Sequence, residues 1–446
     1  MTASLSRLAR ILLGGIGPIA IAVLVQSAGN LAFHAVVGRE LDADGYGALG
    51  AVLSAMVMLG VPLGALQAAA SALVARHGPG RATGVRALRA VALWSLPPGV
   101  LVLAGAAGLQ AYFHLGSLAD AALLAPYLVV SAVLATARGL LLGDRKVGTV
   151  ATTYLVGTAA RLALGLGLVI PYGVTGALVG TLAGEVAALA VALVPLLRPA
   201  PDTDPAAALR LRAVARAGVA VTGLFLFSTV DLLLARHHLS GAGSGDYVAA
   251  ATVAKTVLAL PAGIMSAVFP RLAAAWPLPH RARALLTGGG AVVGPALLGA
   301  AVIAAVPWLV LRLLYGDGYA DAAGLVRTLS LVAALTSVVT LATHAGLARG
   351  GRTIAVPWIG AVLEVVFIEL WHGSPGQIAA CSAAALVPTL VVIAMLEGRA
   401  WTRRTAQLPS PHADSSGAPA TAAAAAHGAA KGAREGWHAD PGPELA

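Results

Sequence analysis

Charge is scarce in this sequence. Asp, Glu, Lys and Arg make up 11% of its 446 residues, against about 25% in a soluble globular domain. That shortage excludes a soluble fold of this length, because too little polar sequence remains to cover a core built from 58% hydrophobic residues. Cysteine is limited to Cys381, so neither an intramolecular disulfide nor a cysteine-based zinc site can form. No GxxxxGK[ST] loop occurs, which argues against an ATP-driven pump contained in the chain, and neither HExxH nor GxSxG is found. No soluble catalytic domain and no cofactor are expected.

Long apolar runs, by contrast, recur along almost the whole chain, and the mean hydropathy is +0.85. Runs of about 18 or more apolar residues read as membrane spans. They fall at roughly 11–37, 46–70, 88–110, 119–138, 147–170, 174–197, 213–235, 246–269, 284–311, 321–345, 353–371 and 376–396. The expected fold is all-α, a polytopic membrane protein of about twelve helices. The first run is too long for a signal peptide, and no soluble domain follows it.

The basic residues test this map. Between spans two and three lie Arg76, Arg81, Arg86 and Arg89, and between four and five lie Arg138, Arg145 and Lys146. Arg198, Arg210, Arg212 and Arg216 follow span six, Arg271, Arg281 and Arg283 follow span eight, and Arg349 and Arg352 follow span ten. Arg399, Arg403 and Arg404 follow the last span, whereas the other loops hold only Arg39, Arg236 and Arg312. Basic residues at alternate loops satisfy the positive-inside rule with both termini cytoplasmic. The net charge of +10 is therefore spent on topology, and nucleic acid is not an expected partner.

The expected domains are a six-helix lobe over 1–197, a linker over 198–212, a second six-helix lobe over 213–397 and a disordered tail over 398–446. The tail is rich in Ala, Gly, Pro and Ser, and its His412, His427 and His438 read as solvated residues. Arg212 and Arg216 stand one helical turn apart, which suits either a short surface helix or a plain basic linker. The halves resemble each other. Asn30 lies sixteen residues before Tyr46, and Asp231 sixteen before Tyr247, at an offset of 201. Parallel repeats of this kind are a transporter architecture, with the substrate site between the halves.

Ionisable residues inside the spans point to a site. Each costs about 2.5–3.5 kcal/mol at a helix centre, so such residues face a protein interior or a wet cavity. Arg161 and Glu185 lie at matched depth in spans five and six, Asp231 and Lys255 in spans seven and eight, and Arg327 and Glu364 in spans ten and eleven. Each pair reads equally well as structural or as lining a cavity. Gln26, Asn30 and His34, at spacings of four, share one face of span one. Asp42 and Asp44 could hold a metal for a glycosyltransferase, but the short loops on that side leave no room for its domains.

The runs Gly38–Gly47, Gly245–Tyr247, Phe269–Leu272 and Tyr315–Tyr319 resemble, in that order, motifs of bacterial polysaccharide flippases of the multidrug/oligosaccharidyl-lipid/polysaccharide (MOP) exporter superfamily. The first, GRELDADGYG, is similar to that family's first loop, and the others, GDY, FPRL and YGDGY, to later motifs. Over residues 10–395 the resemblance implies two six-helix lobes around a central cavity. It further implies alternating access that turns a polyprenyl-diphosphate-linked oligosaccharide from the inner to the outer leaflet. Arg161, Lys255 and Arg327 would then receive the diphosphate while the prenyl tail stays in lipid. Expected partners are that lipid-linked oligosaccharide and membrane lipids, with room for a coupling ion and for proteins of polysaccharide synthesis. The location would be the bacterial inner membrane. The alternative is a cation-coupled exporter of drugs or other amphiphiles; a membrane glycosyltransferase or a non-transporting scaffold ranks below it. Related lipid II flippases typically have fourteen spans, and cation-coupled drug exporters often carry a carboxylate in span one, which is missing here.

Overall fold

The computed structural model describes residues 17–198, 201, 208, 209, 214, 218, 222–239, 241–258, 278–349 and 352–405. Most of the expected linker, the Phe269–Leu272 motif and residues 406–446 lie outside the described residues. The chain divides into two units, Met1–Leu396 and Glu397–Ala446, and the helices described here belong to the first apart from the last turns of the final one.

The described helices follow the apolar runs. They are α1 (Gly17–Glu40), α2 (Ala43–His77), α3 (Arg81–Ala104, continued by Ala106–Tyr112) and α4 (Leu124–Gly143, preceded by the short helix Leu118–Ala122). The 50 residues of Val147–Leu196 are helical except at Gly173, where φ is 54° and ψ is −133°. A straight helix of that length would reach about 75 Å, far more than a bilayer is thick. The segment instead folds back as α5 (147–172) and α6 (174–196). Gly165 faces Gly180 so closely that a side chain at Gly180 would collide with the Gly165 backbone. Pro171 and Gly173 supply the turn, since only glycine adopts that φ without strain.

The second half contains α7 (Val230–His238), α8 (Ala242–Lys255, extended by the 3-10 turn Thr256–Leu258) and α9 (Leu278–Ala305). It ends with α10 (Ala323–Arg349), α11 (Val356–Leu370) and α12 (Pro375–Thr405). Seven described helical stretches, or eight with one bent pair, are long and apolar enough to cross a membrane. The twelve expected spans exceed that number for three reasons: α5 and α6 form one stretch, α7 and α8 are short described pieces, and α11 has only 15 residues.

Two expected spans are not straight. Span nine stops at Ala305, and Pro307–Tyr315 leaves at 83° to it. Pro307 starts the new helix because its missing N–H costs nothing there. Span seven is interrupted at Ser228 and Thr229, and the helix restarts at Val230.

The helices are grouped below as two lobes, α1–α6 and α7–α12, although α8 packs closely on α2. Near the end that carries the Leu41–Asp42 turn, one buried cluster draws on both lobes, including Phe33, Tyr46 and Leu49 with Leu234, Tyr247 and Val248. Among the described residues, two further clusters are each confined to one lobe, while a small one joins Val214 to Ala65, Leu66 and Val91. Of the confined two, one joins Leu73, Leu88, Leu140 and Ala192 of the first lobe, and the other joins Phe227, Val339, Val356 and Leu386 of the second. The lobes are thus sealed to each other at the end with the Leu41–Asp42 turn, called the closed end below. There α2 and α8 run side by side. A side chain at Gly47 would strike Ser244, one at Gly50 would strike Val248, and one at Gly245 would strike Ala43.

Candidate functional site

Three polar clusters stand out in this apolar scaffold. In the first lobe, two residues of the stripe on α1, the exposed Asn30 and the buried His34, bond to other helices. Asn30 accepts a hydrogen bond from Arg161 Nη1 at 2.8 Å, and the guanidinium lies 4.0 Å from the centre of the Phe33 ring. His34 Nδ1 is 3.0 Å from the Tyr46 hydroxyl, which donates to the Tyr315 hydroxyl at 3.1 Å. Gln26 is half-buried above them. Glu185 accepts from Ser131 at 3.3 Å, and the described ion pairs include none between Glu185 and Arg161. Depth matching suggested that pair; the guanidinium chooses Asn30 and Phe33 instead, and its Nε is buried without a partner. Arg138, expected in a loop, lies inside α4, donating to Thr153 at 2.9 Å with its guanidinium 4.0 Å from the Tyr154 ring centre.

In the second lobe, Asp231 and Lys255 pair at 3.1 Å, and Tyr247 donates to Asp231 at 3.2 Å. Asp231 sits in the first turn of the restarted α7, where the helix dipole favours a carboxylate. Glu364 does not meet Arg327, which is exposed and donates to the Ala304 carbonyl at 3.3 Å. Glu364 is instead buried, with Oε2 unpartnered, and shares a cavity of about 30 Å³ with Asp231, Lys255, Ser228 and Thr336. That volume holds a single water. Asn30 and Asp231 take equivalent places. Each lies on the first helix of its lobe and faces an ionisable residue of the fifth, Arg161 or Glu364. Arg161 and Arg138 outnumber Glu185 in the first lobe's cluster, whereas the second sets two carboxyl groups, Asp231 and Glu364, beside the single cation Lys255.

The third cluster, at the closed end, was missed by sequence reasoning. Arg236, counted there as a loop residue, is 1% exposed. It pairs with Asp44 at 2.6 Å and donates to the Phe113 carbonyl at 2.8 Å, the His114 carbonyl at 2.7 Å and Ser244 at 2.9 Å. His237 Nδ1 lies 2.8 Å from the Tyr112 carbonyl. Three successive carbonyls of the first lobe are thereby held by two residues of the second. In return Arg39 of the first lobe donates to the Leu314 carbonyl at 2.9 Å and to that of Leu313. The signal was present in the charge pattern. Arg39, Arg236 and Arg312 were the exceptions to the alternation, and each has a local partner, Arg312 having Asp317 at 3.1 Å.

No protein-family model matches the sequence, and no curated protein matches it. Solved structures do. One is an inward-facing multidrug-resistance MATE family transporter of the MOP superfamily, with TM-score 0.65 and 17% identity over 85% of this chain and 99% of that one. Another is the lipid II flippase MurJ in an inward closed conformation, with TM-score 0.69 and 10% identity over 84% of this chain and 86% of that one. An outward-facing MATE family transporter gives TM-score 0.60 and 17% identity over 89% of this chain and 95% of that one. At these identities the likeness is one of fold. The chain is a multi-pass membrane protein with the two-lobed fold of MOP-superfamily transporters.

Proposed function

We propose that the protein is an alternating-access transporter that turns a polyprenyl-diphosphate-linked oligosaccharide from the inner to the outer leaflet, with residues 1–197 and 213–397 as its moving halves. The observation that carries this reading is Arg161. It is a cation in a membrane span with no carboxylate in ion-pair contact and with one N–H buried without a partner. An unneutralised guanidinium at that depth is costly, and a diphosphate supplies the missing charge and acceptors. The lipid II flippase among the similar folds is consistent with such a substrate.

Arg161→Ala is expected to cut transport of a fluorescent polyprenyl-diphosphate oligosaccharide in proteoliposomes at least about ten-fold, the cost of roughly one charge-assisted hydrogen bond. Folding should survive, because Glu185 keeps Ser131 and no carboxylate loses its only partner. Arg161→Lys should restore part of the rate, a point charge being a poorer match to two phosphate oxygens. Parental transport by the alanine variant, with protein amount and orientation controlled, would remove Arg161 from the substrate site.

A second reading, export of amphiphilic cations, is favoured by the acidic cluster of Asp231 and Glu364. The same vesicles loaded with a lipophilic cationic dye discriminate. Dye export that Arg161→Ala leaves intact supports the exporter.

Orientation follows from the basic residues. In this reading the closed end faces outward. Reporter fusions after Arg89, Lys146 and Arg352 are expected to read cytoplasmic, and one near Gly243 external. An external signal after Lys146 would invert the scheme.

A further inference from the structure

A row of rings crosses the seam at the closed end. His114 of the first lobe faces His237 of the second, with ring centres 6.1 Å apart and planes 16° apart. Tyr112 stacks on His237 at 3.8 Å and 5°. His237 lies 4.7 Å from His238, which stacks on His372 at 3.9 Å and 18°. Four of the chain's 11 histidines meet here, and the transport reading uses none of them. The row lies beyond the apolar stretches, within reach of water: Tyr112 and His114 are exposed, and His237, His238 and His372 half-buried. Among the described residues no group of three or more His, Cys, Asp or Glu side chains is arranged to hold a metal ion.

The charged groups around the row are few. Glu369 of α11 lies 3.3 Å from His238 Nε2. Asp44 lies near enough to His114 to feel its charge but is already engaged by Arg236, which adds positive charge beside His237 and the His114 carbonyl. Glu369 can balance one imidazolium. A second, on His237 or His114, would meet like charge across the seam.

We infer that the histidine row is a proton-operated release for the closed end, in which acid charges both sides of the seam and drives the lobes apart. The inference rests on the alternating-access reading. Burial holds His238 below the ordinary imidazole range, against the opposing pull of Glu369. His238 touches His237, which faces His114 across the seam, so protons added to this row put like charge on both lobes. Acid therefore favours the separated form, and neutral or alkaline medium the closed one.

The test uses the full chain with Cys381→Ser and spin labels on Gly116→Cys and Gly318→Cys, where an added side chain meets nothing within 4 Å. Pulsed electron resonance reads the distance across the seam in proteoliposomes at about pH 8 and about pH 5.5, on either side of the imidazole range. The parent should shift to longer distances in acid. His114→Asn/His237→Asn should keep its alkaline distance at both. Asparagine tolerates the left-handed backbone at His114, where φ is 48°, and at 237 it offers an amide to the Tyr112 carbonyl. Should the double variant not fold, His114→Asn alone should need stronger acid for the same shift. A parent indifferent to pH, or a variant that shifts as the parent does, overturns the inference. Arg236→Ala at about pH 8 separates the two failures. If it lengthens the distance while acid does not, the histidine inference alone fails. If neither lengthens it, alternating access at this end fails, and the inference with it.

Discussion

Arg236→Ala is expected to unlock the closed end. The substitution leaves the Asp44 carboxylate and the carbonyls of Phe113 and His114 without their donor. Asp44 is half exposed and can turn to water, so the cost comes mainly from the carbonyls left without a donor, roughly 1–3 kcal/mol. All of that cost falls on the conformation in which the lobes touch, because in the separated one water satisfies the same groups. The closed population should therefore fall about ten-fold or more relative to the open one. A cysteine at Ser244, which is fully buried in the seam, reports the change in a Cys381→Ser background. It should resist a membrane-impermeant maleimide in the parent and react readily in the alanine variant. Arg236→Lys keeps the charge but loses the planar fork, so its labelling should fall between the two. Equal protection in parent and alanine variant would mean that the glycine contacts between α2 and α8 hold the seam without the latch.

Lys255→Met should be the most damaging single change to stability. It leaves Asp231 and Glu364, 5% and 2% exposed, facing each other without a cation, at a cost of roughly 3–5 kcal/mol. Thermal unfolding in detergent should show a large loss, and adding Asp231→Asn should recover much of it, since Tyr247 can still donate to the amide oxygen. Arg327→Ala is the contrast. Its exposed side chain bonds one carbonyl, so the change should stay within about 0.5 kcal/mol. A Lys255→Met variant as stable as the parent would mean that water in the small cavity already compensates the carboxylates.

The helices were legible because hydrocarbon thickness forces long apolar runs. The turn at Pro171–Gly173 could be read for the same reason. Which ionisable residues meet was only half legible. Depth in the membrane follows from position along a span, and depth correctly joined Asp231 to Lys255. It says nothing about the direction in which a side chain leaves its helix. Glu364 points to Asp231 while Arg327 points out, and Arg161 turns to Asn30 rather than Glu185, although every depth agrees. The repeat between the halves held that information in part. Asn30 and Asp231 were aligned by it, and the residues facing them sit on corresponding helices. The latch at Arg236 showed only as an exception to the arginine alternation, because its partner Asp44 lies 192 residues away in the other lobe.

Asp44 and Arg236 are separated by 192 residues, and this distance bears on biogenesis. During synthesis the α1–α2 hairpin enters the membrane long before α7 exists. Until then Asp44 and the carbonyls of the 112–114 turn have only water and headgroups for company, and the first lobe's share of the common core has no mate. The first half is thus an assembly intermediate rather than a self-sufficient module. Expressed alone it should be a substrate for membrane quality-control proteases, and co-expression of the second half should protect it.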